Sequence, residues 1–261
     1  MKKSDTSCEK KETTILEKSD SRPHEWTWDE SYVKKLHSSI VVSQENTQIL
    51  FNPTGGLHTY GVLRGDKPLE KGRHHFWGIH ITGFQTSIIV GVGTAKAATS
   101  SSYSIGQDCE SWGFLCSELS LHHDGKKKDL DYNHFDSNYL IRIHLDTWAG
   151  TLQFFYNRRP LGDAFRNLNN YTLYPLISYT TYMYTRELST KVILTYSMSI
   201  PASLQSACVK VLTRSQKQIL RKKFPGLRHL CYFADMLRKQ NGICIIRTSF
   251  CHSINNLAIE D

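Results

Sequence analysis

The 261-residue sequence predicts a mainly β chain, an antiparallel β-sandwich followed by a small α-helical module. Three observations carry that prediction. From Trp26 to Ser197, short β-branched and aromatic runs are separated by glycine and polar residues, with no long stretch of 3.6-residue period between them. Residues 139–157 read as a hairpin. After Ser199 the apolar spacing changes to every fourth residue. Many strands without intervening helices give an antiparallel sandwich or barrel and exclude a parallel α/β sheet.

Residues 1–25 are Lys, Glu, Ser and Thr with a single Ile-Leu pair, and are expected to stay disordered, because so little apolar surface cannot offset the entropy of ordering. The domain expected over 26–197 opens at Trp26. Phe76–Thr82 and Thr86–Gly93 are its first strong strand runs, parted by Gly83. In the hairpin, Ile141, Ile143 and Leu145 alternate with Arg142 and His144, Asp146–Gly150 supplies the turn, and Leu152–Tyr156 returns. Residues 158–162 (Arg-Arg-Pro-Leu-Gly) read as another turn. Leu173–Tyr179 and Lys191–Tyr196 complete the strand series.

A second module is expected over 198–240. Ser199 and Pro201 look like a helix start. Leu204, Cys208 and Leu212 follow at four-residue spacing, a break falls at Phe224-Pro225-Gly226, and Leu227, Leu230, Cys231, Ala234 and Leu237 mark a second helix. Two such short helices need their apolar faces covered by the sandwich or by another protein. Residues 241–261 form a tail with no clear pattern.

Charge divides along the same line. The net charge is +8, yet residues 198–261 hold ten Lys/Arg against three Asp/Glu, so almost all of the excess is C-terminal. The run Lys210, Arg214, Lys217, Arg221, Lys222, Lys223 lacks interleaved aromatics, so it reads as the solvated face of a helix, and nucleic acid is not the expected partner. No apolar run approaches the ~18 residues of a membrane span, and the N-terminus lacks the apolar stretch of a secretory signal. Membrane partners are therefore not expected, and seven cysteines, an odd number, read as reduced thiols in a cytoplasmic or nuclear compartment.

The chemistry expected of an enzyme is thin. Gly91-Val92-Gly93 has Lys96 where a dinucleotide loop needs its third glycine, and reads as a strand with closely approaching backbones. Cys109, Cys116, His122 and His123 lack the paired spacing of a zinc site. No cysteine or histidine sits in a nucleophile signature. No metal, cofactor or catalytic residue is expected.

Five landmarks carry a family resemblance: residues 72–79 (Gly-Arg-His-His-Phe-Trp-Gly-Ile), 90–94 (Val-Gly-Val-Gly-Thr), 110–113 (Glu-Ser-Trp-Gly), 145–152 (Leu-Asp-Thr-Trp-Ala-Gly-Thr-Leu) and 173–176 (Leu-Tyr-Pro-Leu). Together they resemble a SPRY (B30.2-like) domain. With Trp26-Thr27-Trp28-Asp29 they are similar to the SPRY domain-containing SOCS box proteins, most of all the divergent third paralogue. Trp77-Gly78-Ile79 departs from the family's Trp-Glu-Val. Residues 203–212 then match the elongin-C-binding box, a small residue, Leu, Cys and an aliphatic residue, at Ser203, Leu204, Cys208 and Leu212. Positions i, i+4 and i+8 share one helical stripe about 12 Å long. Phe224, Pro225, Leu227 and Leu230 resemble a cullin box, cullin-5 favoured over cullin-2.

The resemblance implies a substrate receptor of a cullin-RING ubiquitin ligase. The SPRY domain would hold an unidentified target protein, and the SOCS box would bind elongin C with elongin B and a cullin with its RING subunit. The alternative is a SPRY interaction adaptor without ligase assembly. Carried over from the family, target-binding positions fall at Pro53, Thr54, Gly55, Thr94, Tyr103, Thr180 and Thr181. Members that bind Asn-rich peptides have a Val-Trp pair where this chain has Thr180-Thr181, so a different ligand is implied.

Overall fold

The computed structural model describes residues 24–33, 40–51, 60–83, 87–99, 103–130, 138–157, 159–180, 189–203, 208–209, 211–225 and 231. Among them, thirteen strands form two antiparallel sheets. One holds β1 (Ile40–Ser43), β2 (Gln48–Phe51), β4 (Arg73–Thr82), β9 (Asn138–Asp146), β10 (Thr151–Tyr156), β11 (Arg159–Phe165) and β13 (Thr190–Pro201), in the order β1-β2-β13-β4-β9-β10-β11. The other holds β3 (Tyr60–Arg64), β5 (Ser87–Gly93), β6 (Ser111–Leu115), β7 (Ser120–His123), β8 (Lys126–Asp129) and β12 (Tyr174–Thr180), in the order β3-β12-β5-β6-β7-β8. A four-residue helix, α1 (Glu30–Val33), precedes β1, and α2 (Arg214–Lys223) follows the sandwich.

Alternation decides which side chains meet between the sheets. Trp77, Ile79 and Ile81 of β4 and Ile141, Ile143 and Leu145 of β9 point inward, against Ile88, Val90 and Val92 of β5 and Ile177 of β12. Trp26 closes the core edge-on, its ring centroid 5.2 Å from that of Trp28 and 6.0 Å from that of Trp77. The even-numbered residues of β4 point the other way. There His74 Nδ1 lies 3.3 Å from His144 Nε2 and 3.2 Å from an Asp146 oxygen, and Phe76 stacks on His144 at 4.5 Å.

Register defines the two ends of the sandwich. Phe51, Tyr60, Thr82, Ser87, Asn138, Thr180 and Thr190 lie at one, here the loop end. Arg64, Arg73, Gly93, Ser111, Asp146 and Tyr174 lie at the other, and β13 leaves it at Pro201, paired with Arg73. This second end is the exit end.

Three sequence expectations are corrected. Arg159–Phe165 is not a turn but the edge strand β11, its pairing to β10 broken by two register shifts. An edge position tolerates Pro160, since no neighbour needs its missing N–H. Ser199–Pro201 is not a helix start: these residues end β13, opposite His75, His74 and Arg73, so the sandwich passes the expected boundary at residue 197. Lys217 does not lie on a solvated face. It is buried at 2% exposure, while Ile219 on the same helix is 54% exposed. Cys231 is helical and buried; the other apolar positions expected in the second helix, and residues 241–261, lie outside the described residues.

The glycine and cysteine motifs resolve into packing. Gly91 is a β5 residue whose added Cβ would sit 1.9 Å from the Trp112 carbonyl oxygen. Cys116 is buried, and burial pushes its thiol pKa well up. His123 stacks on Trp112 at 4.8 Å and bonds the Ser111 carbonyl oxygen.

His75 offers a test of this packing. Its Nε2–H donates to the Glu70 carbonyl oxygen at 2.8 Å, in a cleft of about 350 Å³ lined also by Trp26, Leu69 and Arg73. Burial lowers its pKa from 6.5, outweighing the opposing pull of that hydrogen bond. The unfolded chain therefore takes the proton first on acidification. His75 costs nothing above the unfolded value and removes stability as pH falls below it. His75→Gln, which keeps an N–H for Glu70, is expected to lose less melting temperature than the parent between about pH 7.5 and about pH 5.5. An unchanged difference would contradict this.

Candidate docking sites

The expected target-binding residues divide between the two ends. Tyr103 is 42% exposed, on the long connection between β5 and β6. That connection lies across the outer face of the six-stranded sheet, where Ala97 and Ile105 pack on Val62, Ile89, Leu115 and Leu176. Ser104 Oγ is 3.2 Å from Ser178 Oγ, which fixes the Tyr103 segment over the loop-end half of β12. An exposed tyrosine on an immobilised loop is a ready anchor, because its ordering cost is met before binding.

Thr94 is not brought to that place. It follows Gly93, which pairs with Tyr174, whereas Thr180 pairs with Ser87 at the far end of the same ladder. Six residues at ~3.3 Å each separate these pairs by about 20 Å. Thr94 instead organises the loop: its amide donates to the Glu110 carbonyl oxygen at 2.9 Å, its hydroxyl donates to the Glu110 carboxylate, and Lys96 N donates to that hydroxyl. The β5 residue at the loop end is Ser87. Thr180 is described by its backbone alone, and Pro53, Thr54, Gly55 and Thr181 lie outside the described residues.

The second candidate site follows β13. Ser203 is half-buried where the chain leaves the sandwich, and Leu204 lies outside the described residues. Cys208 is helical and exposed, while Val209 beside it is 5% exposed and packs with buried Cys231 against Leu212 and Leu220. Leu212 therefore faces inward, off the stripe expected from its spacing. The cause is a helix break: Thr213 caps α2, its side chain accepting from Gln216 N while Gln216 reaches back to the Thr213 amide. The segment must leave helical geometry there, and Leu212 N closes a tight turn on Val209 O at 3.3 Å. Val211, 81% exposed, takes the outward position, which a strict four-residue count misses.

At the other end of α2, Phe224 is the C-cap, its amide donating to Leu220 O at 2.9 Å, and its ring is 54% exposed. Pro225 beside it is exposed; Leu227 and Leu230 lie outside the described residues. Among the described residues no group of three His, Cys, Asp or Glu could hold a metal ion, and no helix is long and apolar enough to cross a membrane.

Comparison with known proteins now bears on the sandwich. The SPRY domain family model matches residues 74–191. The chain carries a SPRY domain. It is 33% identical over 163 residues to SPRY domain-containing SOCS box protein 3 of Xenopus laevis, covering 60% of this chain and 43% of that protein. It is 30% identical over 152 residues to SPRY domain-containing SOCS box protein 1 of Homo sapiens, covering 53% and 55%. The chain thus spans about half the length of these relatives. The TRIM65 PSpry domain crystal structure superposes with a TM-score of 0.50 at 19% identity, over 65% of this chain and 90% of that one, a likeness of fold alone. The SPRY landmarks lie in strands and turns of the core: Trp77 in β4, Trp112 and Gly113 in β6, and Asp146–Gly150 joining β9 to β10.

Proposed function

We propose that this chain is a non-catalytic substrate receptor of an elongin B/C–cullin–RING ubiquitin ligase in the cytoplasm. The observation that carries the proposal is the exposure of Cys208 and Val211 on the helical segment directly after the SPRY domain. Cysteine and valine are small, so a partner's backbone can approach closely, and an 81%-exposed valine gains by being covered. The similarity to SOCS box proteins supports elongin C as that partner. Phe224 and Pro225, exposed at the end of α2, suit the adjoining contact with a cullin, cullin-5 before cullin-2.

In this reading the SPRY domain captures a target through the face that presents Tyr103, and the helical module docks on the ligase. The contribution to ubiquitination is effective concentration: a target lysine is held beside a ubiquitin-charged E2, and the receptor itself supplies no acid, base or nucleophile. The packing of Val209, Leu212, Leu220 and Cys231 on one another favours a second reading, an adaptor whose helices complete only their own fold.

The two readings separate in a paired pull-down, with the proteasome inhibited, of the full chain and of a chain ending at Ser203. The ligase reading expects both to recover the same target and only the full chain to recover elongin C. Elongin C in neither would leave the adaptor. On the target side, Tyr103→Ala is expected to reduce capture at least about tenfold, since exposed tyrosines are common hot spots. A folded variant with undiminished capture would move recognition to another surface.

A further inference from the structure

The cation on the outer face of β3 is built for something the fold does not use. Alternation places Leu63 in the main core and Val62 in the outer cluster with Leu176, which puts Arg64 and Tyr174 on the outer face at the exit end. The Arg64 guanidinium carbon lies 4.5 Å from the ring centroid of Tyr32 and 4.3 Å from that of Tyr174, so an aromatic ring attends it on two sides. Its Nε is sealed from solvent with no hydrogen-bond partner, and among the described residues no carboxylate or carbonyl pairs with the guanidinium.

Two acids close to this strand end hold backbone amides instead. Asp29 accepts the Ser31 amide at 2.9 Å and Asp66 accepts the Thr27 amide at 3.0 Å. Lys67 donates to the Glu25 carbonyl oxygen. The Arg64 backbone oxygen is held by the Asp29 amide at 2.8 Å, which ties the α1 segment carrying Tyr32 to the strand.

We propose that Arg64, clamped between Tyr32 and Tyr174, is a binding site for an oxyanion, the carboxylate or phosphoryl group of a bound peptide. With its carbon over two rings and its Nε buried, the guanidinium is left its terminal Nη edge for a ligand. That edge offers two parallel N–H donors, the fork that matches a carboxylate or phosphoryl group. The rings hold the fork in one orientation, so little side-chain entropy remains to be lost on binding. Their faces also attract the cation and spread little competing hydrogen bonding around it. The site is separate from the helical module and from Tyr103, and it does not depend on ligase assembly.

The test follows the Arg64 Nε–H resonance in the full chain with 15N-labelled arginine. Sodium acetate, inorganic phosphate and sodium chloride are titrated at constant ionic strength. A saturable shift with acetate or phosphate, and none with chloride, is the expected result. Saturation by acetate alone identifies a carboxylate ligand, and saturation by phosphate alone a phosphoryl one. Tyr174→Leu keeps the apolar volume and the reporter arginine but removes one ring, and is expected to weaken the response about tenfold. Should that variant not fold, the parent titration still decides. A non-saturating shift, or one that chloride reproduces, overturns the proposal and leaves Arg64 a packing residue.

Discussion

Gly91→Ala is expected to destabilise the SPRY domain severely. A single Cβ at that position would stand 1.9 Å from the Trp112 carbonyl oxygen and 2.9 Å from Gly113 Cα, both backbone atoms of the paired strand β6. No rotamer change relieves a clash with backbone. The ladder between β5 and β6 must part, and with it the packing of Val90, Val92, Trp112 and Phe114, each at most 4% exposed. Overpacking of this kind costs about 3 kcal/mol or more, a large share of the ~5–15 kcal/mol that holds a domain together. Gly162→Ala is the control: φ there is +81°, but nothing lies within 4 Å of the added Cβ, so its cost stays near 1 kcal/mol. Near-ultraviolet circular dichroism with a thermal scan reads both. A Gly91→Ala protein melting like the parent would show that β5 and β6 do not approach as described.

The second large effect is expected on partner binding rather than folding. Leu204→Ala with Cys208→Phe should weaken elongin C binding by about 2–4 kcal/mol, roughly 30- to 1000-fold. The first change removes apolar contact and the second places a ring where a partner's backbone needs room. Because Cys208 is exposed and Val209 faces the cluster with Cys231, a phenylalanine at 208 need not disturb the module's own packing. Calorimetry against purified elongin B–C, with the parent melting temperature as a folding control, measures the loss. Equal affinity would make the segment a packing helix.

Much of the sandwich was legible because its inner strands alternate. Ile141, Ile143 and Leu145 announce β9, and Asp146–Gly150 announces the turn to β10: Asp146 carries the Trp148 and Ala149 amides at 3.0 Å each, and Gly150 has φ +68°. Edge strands escaped the same reading. Lys126–Asp129 is exposed throughout, so β8 has no apolar period at all, and charged edges of this kind resist pairing with other chains. Pro160 and Gly162 made β11 look like a turn. Ser199 and Pro201 imitate a helix cap, yet their partners on β4, His75 and Arg73, are set 124 and 128 residues away in a ladder that local spacing does not record.

The candidate site was legible to a lesser degree. Tyr103 and Cys208 are exposed at their expected positions, as a docking role requires. Thr94 lies at the opposite end of the β5–β12 ladder from Thr180, a separation that a motif read along one strand does not record. Val211 was hidden by a helix break at Thr213, and Arg64 by rings that lie thirty-two and 110 residues from it in sequence.

The central claim is that an elongin-binding module is joined to a target-binding SPRY domain in one chain. Size-exclusion chromatography of the purified full chain mixed with elongin B–C, with mass measured by light scattering, tests it most directly. The account predicts a single 1:1:1 complex that is lost with Leu204→Ala and Cys208→Phe. Separate elution of a folded chain and free elongin B–C at concentrations of order 10 μM, where the expected affinity of a buried hot spot saturates, would contradict it.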